Sequence, residues 1–216
     1  MILRRLFGKG ESPVEPEPSA SPEEPTPQRA ETAIWEMLQQ EWLCANGHTM
    51  EGKPMDLCAH APDPFPQDRE YEANSAVRFD GDFLSEDFCI LNDGEKTNYF
   101  IRAVMEFSIL GTHETWGFGC WTTLSRENFD KYIDGFDAGV YPDEEPWFGW
   151  LCNRLLPIFE GPDPLPLAVW PRPDRQRPIL CVRDEGHPLR AFQIQGLPPS
   201  VLLEILQTHG LGPKVN

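Results

Sequence analysis

Two long alternating segments joined by a short turn constrain this chain more than any other feature. The first is TNYFIRAVMEFSIL at residues 97–110, and the second is WGFGCWTTL at residues 116–124. Successive side chains of a strand point to opposite faces. The first segment therefore places an apolar row on one face and Arg102 and Glu106 on the other. The turn GTHE, at residues 111–114, predicts that the two strands pair in antiparallel fashion.

The second segment carries an unusual pair of glycines. Gly117, Gly119 and Trp121 share one strand face, so two neighbouring positions on that face have no side chain. Glycine inside a strand often marks the close approach of another part of the chain or of a ligand. We expect a helix to cross above the glycines. The alternative is a ligand pocket with the two glycines as its floor.

Flanking signals extend this pattern to the rest of the chain. Ser125 is expected to cap a helix, and the Asn-Asp-Gly turn at residues 92–94 predicts a hairpin with DFCIL. Further helices are expected over residues 31–43, from Pro146 to Pro157, and over residues 200–210, and a second hairpin is expected from LAVW and PILCV at residues 167–170 and 178–182. The pattern predicts an α+β fold, with an antiparallel sheet of hairpins and helices packed on one face.

The N-terminal part has a different composition. Residues 11–30 are rich in Pro and Glu and contain no aromatic residue, so they cannot bury enough apolar surface to offset the entropy of ordering. We expect residues 1–30 to be a disordered segment and linker. Residues 31–216 then form a single domain. No apolar run near the start is long enough for a secretory signal or a membrane span.

Charge and cysteine content narrow the classes of partner and compartment. The chain has a net charge of -17, and the part beyond residue 31 holds 29 acids against 14 bases. This acidity argues against nucleic-acid binding, which depends on clustered Lys and Arg. A basic protein is the favoured partner. Six cysteines in a chain of this length do not form a disulfide-dense scaffold, so a reducing cytoplasmic location is expected.

Several residues could form a ligand site. Arg102 and Glu106 could bracket a small polar ligand on which Trp121 stacks, or they could belong to a solvated sheet face. His187 lies near acidic residues and could serve as a general base, although a loop histidine is the alternative. Five arginines occur close together in this otherwise acidic chain and could bind an anion: Arg172, Arg175, Arg177, Arg183 and Arg190.

Four potential zinc ligands fall within seventeen residues of a segment that is expected to be rich in loops. They are Cys44, His48, Cys58 and His60. Their spacing, in which nine residues separate Cys-x3-His from Cys-x-His, does not correspond to a standard tetrahedral zinc motif. The alternative is that Cys58 packs and that the histidines are solvated. The spacing favours this alternative over a zinc site.

The central blocks resemble a known bacterial family. FIRAVMEFSI, WGFGCWTTLSRENFDKY, FGWL, ILCV and HPL occur in the order found in the family called domain of unknown function 2199. The resemblance covers residues from about Trp42 to His209, and the family has no assigned activity. Its members often begin with Cys-x-x-Cys-Gly and a His, which resembles a zinc knuckle. Here Cys44 remains, but Asn46 or its neighbour stands in place of the second cysteine, so the knuckle is degenerate.

The sequence contains no phosphate-binding loop and no nucleophile elbow. It therefore favours a non-catalytic cytoplasmic binding module whose acidic surface meets a positively charged partner. The alternatives are a small-ligand receptor or enzyme around Arg102 and Glu106, or a degenerate zinc-knuckle protein. No cofactor other than zinc is suggested by any motif.

Overall fold

A computed structural model provides the fold. It describes residues 26–44, 46–50, 54–66, 76–79, 81–141, 145–161 and 163–213, with the backbone alone at 77–79. The segment expected to be disordered covers residues 1–30, of which residues 1–25 lie outside the described residues. Residues 27–30, at the end of that segment, are helical. The first helix therefore begins four residues earlier than the composition indicated.

The described residues form helices and strands in the following order. They are α1 (Pro27–Leu38), β1 (Trp42–Leu43), β2 (Thr49–Met50), β3 (Asp56–Cys58), β4 (Val77–Phe79), β5 (Asp82–Leu84), β6 (Phe88–Asn92), β7 (Thr97–Ser108), β8 (Thr115–Leu124), α2 (Arg126–Ala138), β9 (Trp147–Trp150), β10 (Pro166–Trp170), β11 (Ile179–Val182), α3 (Pro188–Gln195), α4 (Pro199–Thr208) and β12 (Gly212–Pro213). The α+β class is confirmed.

Strands β6, β7 and β8 form the expected antiparallel meander. The register places Phe88 opposite Ile101 and Ala103 opposite Cys120. At the end of β8 the Ser125 hydroxyl accepts a hydrogen bond from the Asn128 N–H at 3.2 Å, which confirms the predicted cap of α2. A strand that ends on a capping residue fixes where the following helix leaves the sheet.

The sheet is mixed rather than purely antiparallel. Strand β11 runs parallel to β7 through the pair Ile179 and Val104, and β10 and β9 continue antiparallel beyond it. The sheet then curls back on itself. Leu151, directly after β9, forms an antiparallel bridge with Thr122 of β8, and the Cys152 N–H donates to the Trp121 carbonyl at 2.9 Å.

The four helices of the described residues all contribute buried side chains to one core on a single side of β7 and β8. This core contains Ile101, Ala103, Met105 and Phe107 from β7, together with Leu38, Phe129, Leu189 and Leu202 from the helices. The prediction that helices pack on one face is therefore confirmed. The opposite face of β7 remains for polar groups and for a smaller cluster around Trp121.

The expected helix above the glycines is wrong. The described helices pack on the other face of β8, and strand β3 lies beside the glycines in the plane of the sheet, paired in parallel with β8 so that Asp56 is opposite Gly117 and Cys58 is opposite Gly119. A Cβ atom added to Gly119 would lie 2.7 Å from the Cys58 sulfur, whereas one on Gly117 would meet Val104 at an ordinary 3.6 Å. The missing side chain at Gly119 thus allows the close approach of a neighbouring strand.

The expected helix from Pro146 to Pro157 is also wrong. Residues Trp147–Trp150 form β9, whose side chains alternate between buried and exposed. A short aromatic run does not distinguish a strand from a helix by itself. Pairing with β10 selects the strand, because it buries Trp147 and Gly149 on the core side of the sheet. Helix α3, which the sequence pattern did not predict, begins directly after His187.

Candidate functional site

The outer face of β7 meets the turn between β10 and β11. The Val104 N–H donates to the Pro178 carbonyl at 2.9 Å, which docks the start of β11 onto the middle of β7. The arginine-rich turn at residues 171–178 is thereby carried to the strand that bears Arg102 and Glu106. Two features that lie some seventy residues apart in the sequence come together at one place.

Together they line an open depression, here called the basin, with a volume of about 520 Å³. Its lining consists of Val104, Gln176 and six charged residues: Glu86, Asp87, Glu106, Arg172, Arg175 and Arg177. Glu86 and Asp87 precede β6 and were not identified from the sequence. The local sequence does not indicate that these acidic residues belong to a site, since only the pairing of β6 with β7 brings them to the basin.

Ion pairs organise the basin. Arg177 donates to both carboxylates beside β6, with Nη2 3.1 Å from Glu86 Oε1 and Nε 3.2 Å from Asp87 Oδ1. Arg172 lies 3.6 Å from Glu106 and donates to the Arg177 carbonyl at 2.6 Å. These side chains are partly exposed, so each pair contributes at most about 1 kcal/mol to stability. Their main effect is to hold the arginines in place.

Arg102 stands apart because it is almost wholly buried, with 7% of its surface exposed. One terminal nitrogen lies 3.5 Å from the Glu86 carbonyl, and Nε has no hydrogen-bond partner among the residues that the structure describes. A guanidinium carries five N–H donors and stays charged, so burial without partners is costly. These contacts do not test the prediction that Arg102 and Glu106 bracket a ligand. Both side chains lie on the face of β7 that forms the basin.

The turn that supplies the arginines has an uncommon backbone. Asp174 and Arg175 both have φ of +57°, and the Gln176 N–H donates to the Pro173 carbonyl at 3.2 Å. Positive φ at both central residues is typical of a type I′ turn, for which Asn-Gly is preferred. The turn packs closely on the end of α2, where a Cβ on Gly139 would lie 2.9 Å from the Asp174 nitrogen.

Trp121 and His187 lie outside the basin lining. Trp121 is fully buried, and its indole N–H donates to the Ala59 carbonyl at 3.3 Å. His187 caps α3 by accepting the Leu189 N–H on Nδ1 at 3.2 Å. Burial lowers the pKa of His187, and Asp184 opposes that shift. Both side chains therefore have structural contacts in addition to the ligand roles predicted for them.

The four predicted zinc ligands are spread over two elements. Cys44 and His48 lie at the β1–β2 turn, where the Cys44 N–H donates to the His48 carbonyl at 3.0 Å. Cys58 ends β3, and His60 follows it. Within the part of the chain that the structure describes, no three His, Cys, Asp or Glu side chains are grouped so that they could hold a metal ion.

A second cavity of about 230 Å³ lies beside the end of β3. Its polar lining comes from Cys58, Asp63, Asn153, Arg154 and His209. The Asp63 carboxylate accepts hydrogen bonds from Asn153 and Arg154, at 3.0 Å and 3.1 Å. Burial lowers the pKa of His209, whose Nε2 has no hydrogen-bond partner in the described part of the chain. His209 was missed because the sequence pattern identified only the end of a helix there.

The six cysteines differ in their environment, and none forms a disulfide. Cys58 is the exposed one. Burial raises the pKa of Cys89 and of Cys152 to about 12, and it raises that of Cys120 as well. A buried thiol with a raised pKa is a poor nucleophile. Cys58 is therefore the thiol best placed to react.

Comparison with known proteins places the chain by family rather than by activity. Among the described residues, no helix has both the length and the apolar character needed to cross a membrane. Searches against curated proteins and against solved structures find no match. A family model, by contrast, matches residues 43–197, which include the whole β6–β7–β8 meander and the basin. The chain thus belongs to the family described as uncharacterized protein conserved in bacteria (DUF2199).

Proposed function

We propose that this protein is a non-catalytic cytoplasmic binding module that recognises a positively charged protein through its acidic surface. The observation that carries the proposal is a row of four exposed carboxylates on α2, here called the acidic ridge: Glu127, Asp130, Asp134 and Asp137. Their spacing of three, four and three residues places them on one side of the helix. Acidic surfaces speed association with basic partners.

The ridge is accessible as well as charged. The side chains of Glu127 and Asp137 are 79% and 85% exposed, although each lies within 4 Å of a basic side chain. Pairs this exposed are weak and screened by salt, so a partner with higher positive charge can displace them. Ile133, 44% exposed, lies on the same helix and adds an apolar contact beside the ridge.

Affinity capture from a bacterial lysate at low ionic strength tests the proposal. The test compares the native chain with a Glu127→Gln, Asp134→Asn variant and with a Glu160→Gln, Asp163→Asn control that removes the same charge elsewhere. We expect a basic protein that salt elutes, that the control retains and that the ridge variant loses. Capture that neither salt nor the ridge substitutions change would refute the proposal.

A second candidate function is a small-ligand receptor at the basin. The observation that favours it is Arg102, a buried cation whose Nε has no partner among the described residues, on the face of β7 that forms the basin wall. Buried polar groups without partners are uncommon in folded proteins, and a bound ion is one explanation for such a group. This candidate needs no catalytic group, and it is compatible with a separate protein partner at the acidic ridge.

A further inference from the structure

The β10–β11 turn conflicts with the preference of its own residues. Its central pair, Asp174 and Arg175, lies in the left-handed region, where any residue with a Cβ is disfavoured relative to glycine. An Asn-Gly pair would make the same turn without this strain. Strain that persists in a turn is a reason to look for a function nearby. Here the strained residue Arg175 is part of the basin lining.

The three carboxylates and three arginines of the basin lining are equal in number, but they do not pair one to one. Three carboxylates in the lining are held by Arg172 and Arg177. Arg175 pairs with Asp137, which belongs to α2 and is not part of the lining, through a contact of 2.8 Å between side chains that are 64% and 85% exposed. Arg102 lies on the same face of β7 as Val104 and Glu106, contacts the Glu86 carbonyl, and pairs with no carboxylate among the described residues. Among the described residues, Arg102 and Arg175 are thus the two cations at the basin that have no carboxylate partner in its lining.

We infer that the basin binds a small molecule through an oxyanion, a carboxylate or a phosphate group. Arg175 supplies the accessible contact and Arg102 the buried positive charge. This inference rests on the second candidate function and names its ligand class. Arginine suits this task because its planar donors match the geometry of both groups. A glycine at position 175 would remove the backbone strain, but it would also remove the contact between the Arg175 side chain and the ligand. This opposition explains why the turn retains a strained arginine.

The test exploits that opposition between stability and binding. Isothermal titration calorimetry is run with inorganic phosphate, citrate, spermidine and a neutral sugar on the native chain. The key variant is Asp174→Asn, Arg175→Gly, which installs the preferred turn sequence. Arg154→Gln is the matched control, since Arg154 also pairs with one carboxylate and is 62% exposed, but lies outside the basin. Arg175→Gln removes the charge without changing the turn's backbone preference.

We expect phosphate, citrate or both to bind the native chain and the Arg154→Gln control with equal affinity. Both Arg175 variants should bind about tenfold to a hundredfold more weakly, the loss typical of one charge-assisted contact. The Asn-Gly variant should at the same time melt at a higher temperature than the native chain, which shows that it is folded.

The remaining outcomes separate the inference from the function on which it rests. Binding of spermidine or of the sugar, lost in the Arg175 variants, would overturn the oxyanion class but keep a receptor at the basin. Oxyanion binding that the Arg175 variants retain, or that the control also loses, would overturn the inference by placing the site elsewhere. No binding of any of the four probes would count against both.

Discussion

Gly149 controls how the sheet closes, and its replacement by alanine is the sharpest test of the fold. A Cβ at this position would fall against the Thr122 hydroxyl oxygen, 2.5 Å from the Thr123 carbonyl oxygen and 3.1 Å from a Val169 methyl. The carbonyl belongs to the middle of the sheet and cannot move without breaking the contact between β8 and β9. The Trp150 N–H, which donates to the Thr123 hydroxyl at 3.0 Å, would be displaced with it.

The magnitude follows from these contacts. Forcing an extra methyl into a packed site costs about 1–3 kcal/mol. The lower backbone entropy of alanine in the unfolded chain returns about 0.5–1 kcal/mol. Because the clash is with a backbone oxygen, the cost lies in the upper part of this range, at about 2–3 kcal/mol. We therefore expect Gly149→Ala to lower the free energy of unfolding by about 1–2.5 kcal/mol after this offset, with a melting temperature lower by roughly 2–10 °C for a domain of this size.

Urea denaturation followed by tryptophan fluorescence measures the effect, with Gly117→Ala as the control. Gly117 has an ordinary strand backbone, and its added Cβ would lie 3.6 Å from Val104, so that variant should keep native stability or exceed it slightly. The m-value should be the same in both variants, since the surface exposed on unfolding does not change. Equal stability of the two variants would refute the proposed closure of the sheet at Gly149.

Three further outcomes are expected. A maleimide at pH 7.5 should modify Cys58 well before the five less exposed cysteines. The Cys58→Ser variant should lack the fast phase of labelling. Rapid labelling that persists in this variant would contradict the burial pattern. Asn153→Ala should lower the free energy of unfolding by about 1–3 kcal/mol, because the buried backbone N–H of Trp121, which lies 2.7 Å from the Asn153 amide oxygen, would lose its acceptor. A loss near zero, measured by urea denaturation, would show that water replaces the amide. Burial lowers the pKa of His187 and of His209 in the folded chain. As the pH falls, these two histidines therefore take up protons in the unfolded chain before they do so in the folded chain. The free energy of unfolding should fall as the pH drops below 6.5, the ordinary pKa of histidine. The double variant His187→Asn, His209→Asn should flatten that slope between pH 5 and 7, and an unchanged slope would assign it to other groups.

Much of the local structure could be predicted from the chain alone. The alternation in β7 and β8, the Asn-Asp-Gly hairpin and the Ser125 cap depend on residues that are neighbours in sequence, and each is confirmed. The end of α4 before Gly210, which has φ of +78°, belongs to the same group. These features were predictable because backbone sterics and short-range hydrogen bonds act within a few residues.

The candidate site could be predicted only in pieces. Arg102 and Glu106 were placed correctly on one strand face, and the arginine cluster was recognised as a candidate for anion binding. Their meeting was not predicted, because it depends on the parallel contact between β11 and β7. The partners Glu86 and Asp87 were missed for the same reason.

What the sequence by itself determined is the set of parts: which segments alternate, where caps and turns fall, and that the chain is acidic. What only the tertiary structure decided is which parts touch. It placed β3 rather than a helix beside Gly119, and it made a strand of residues 147–150 by pairing them with β10. The physical reason is that a short apolar segment satisfies several local conformations about equally, and burial against a distant partner selects one of them.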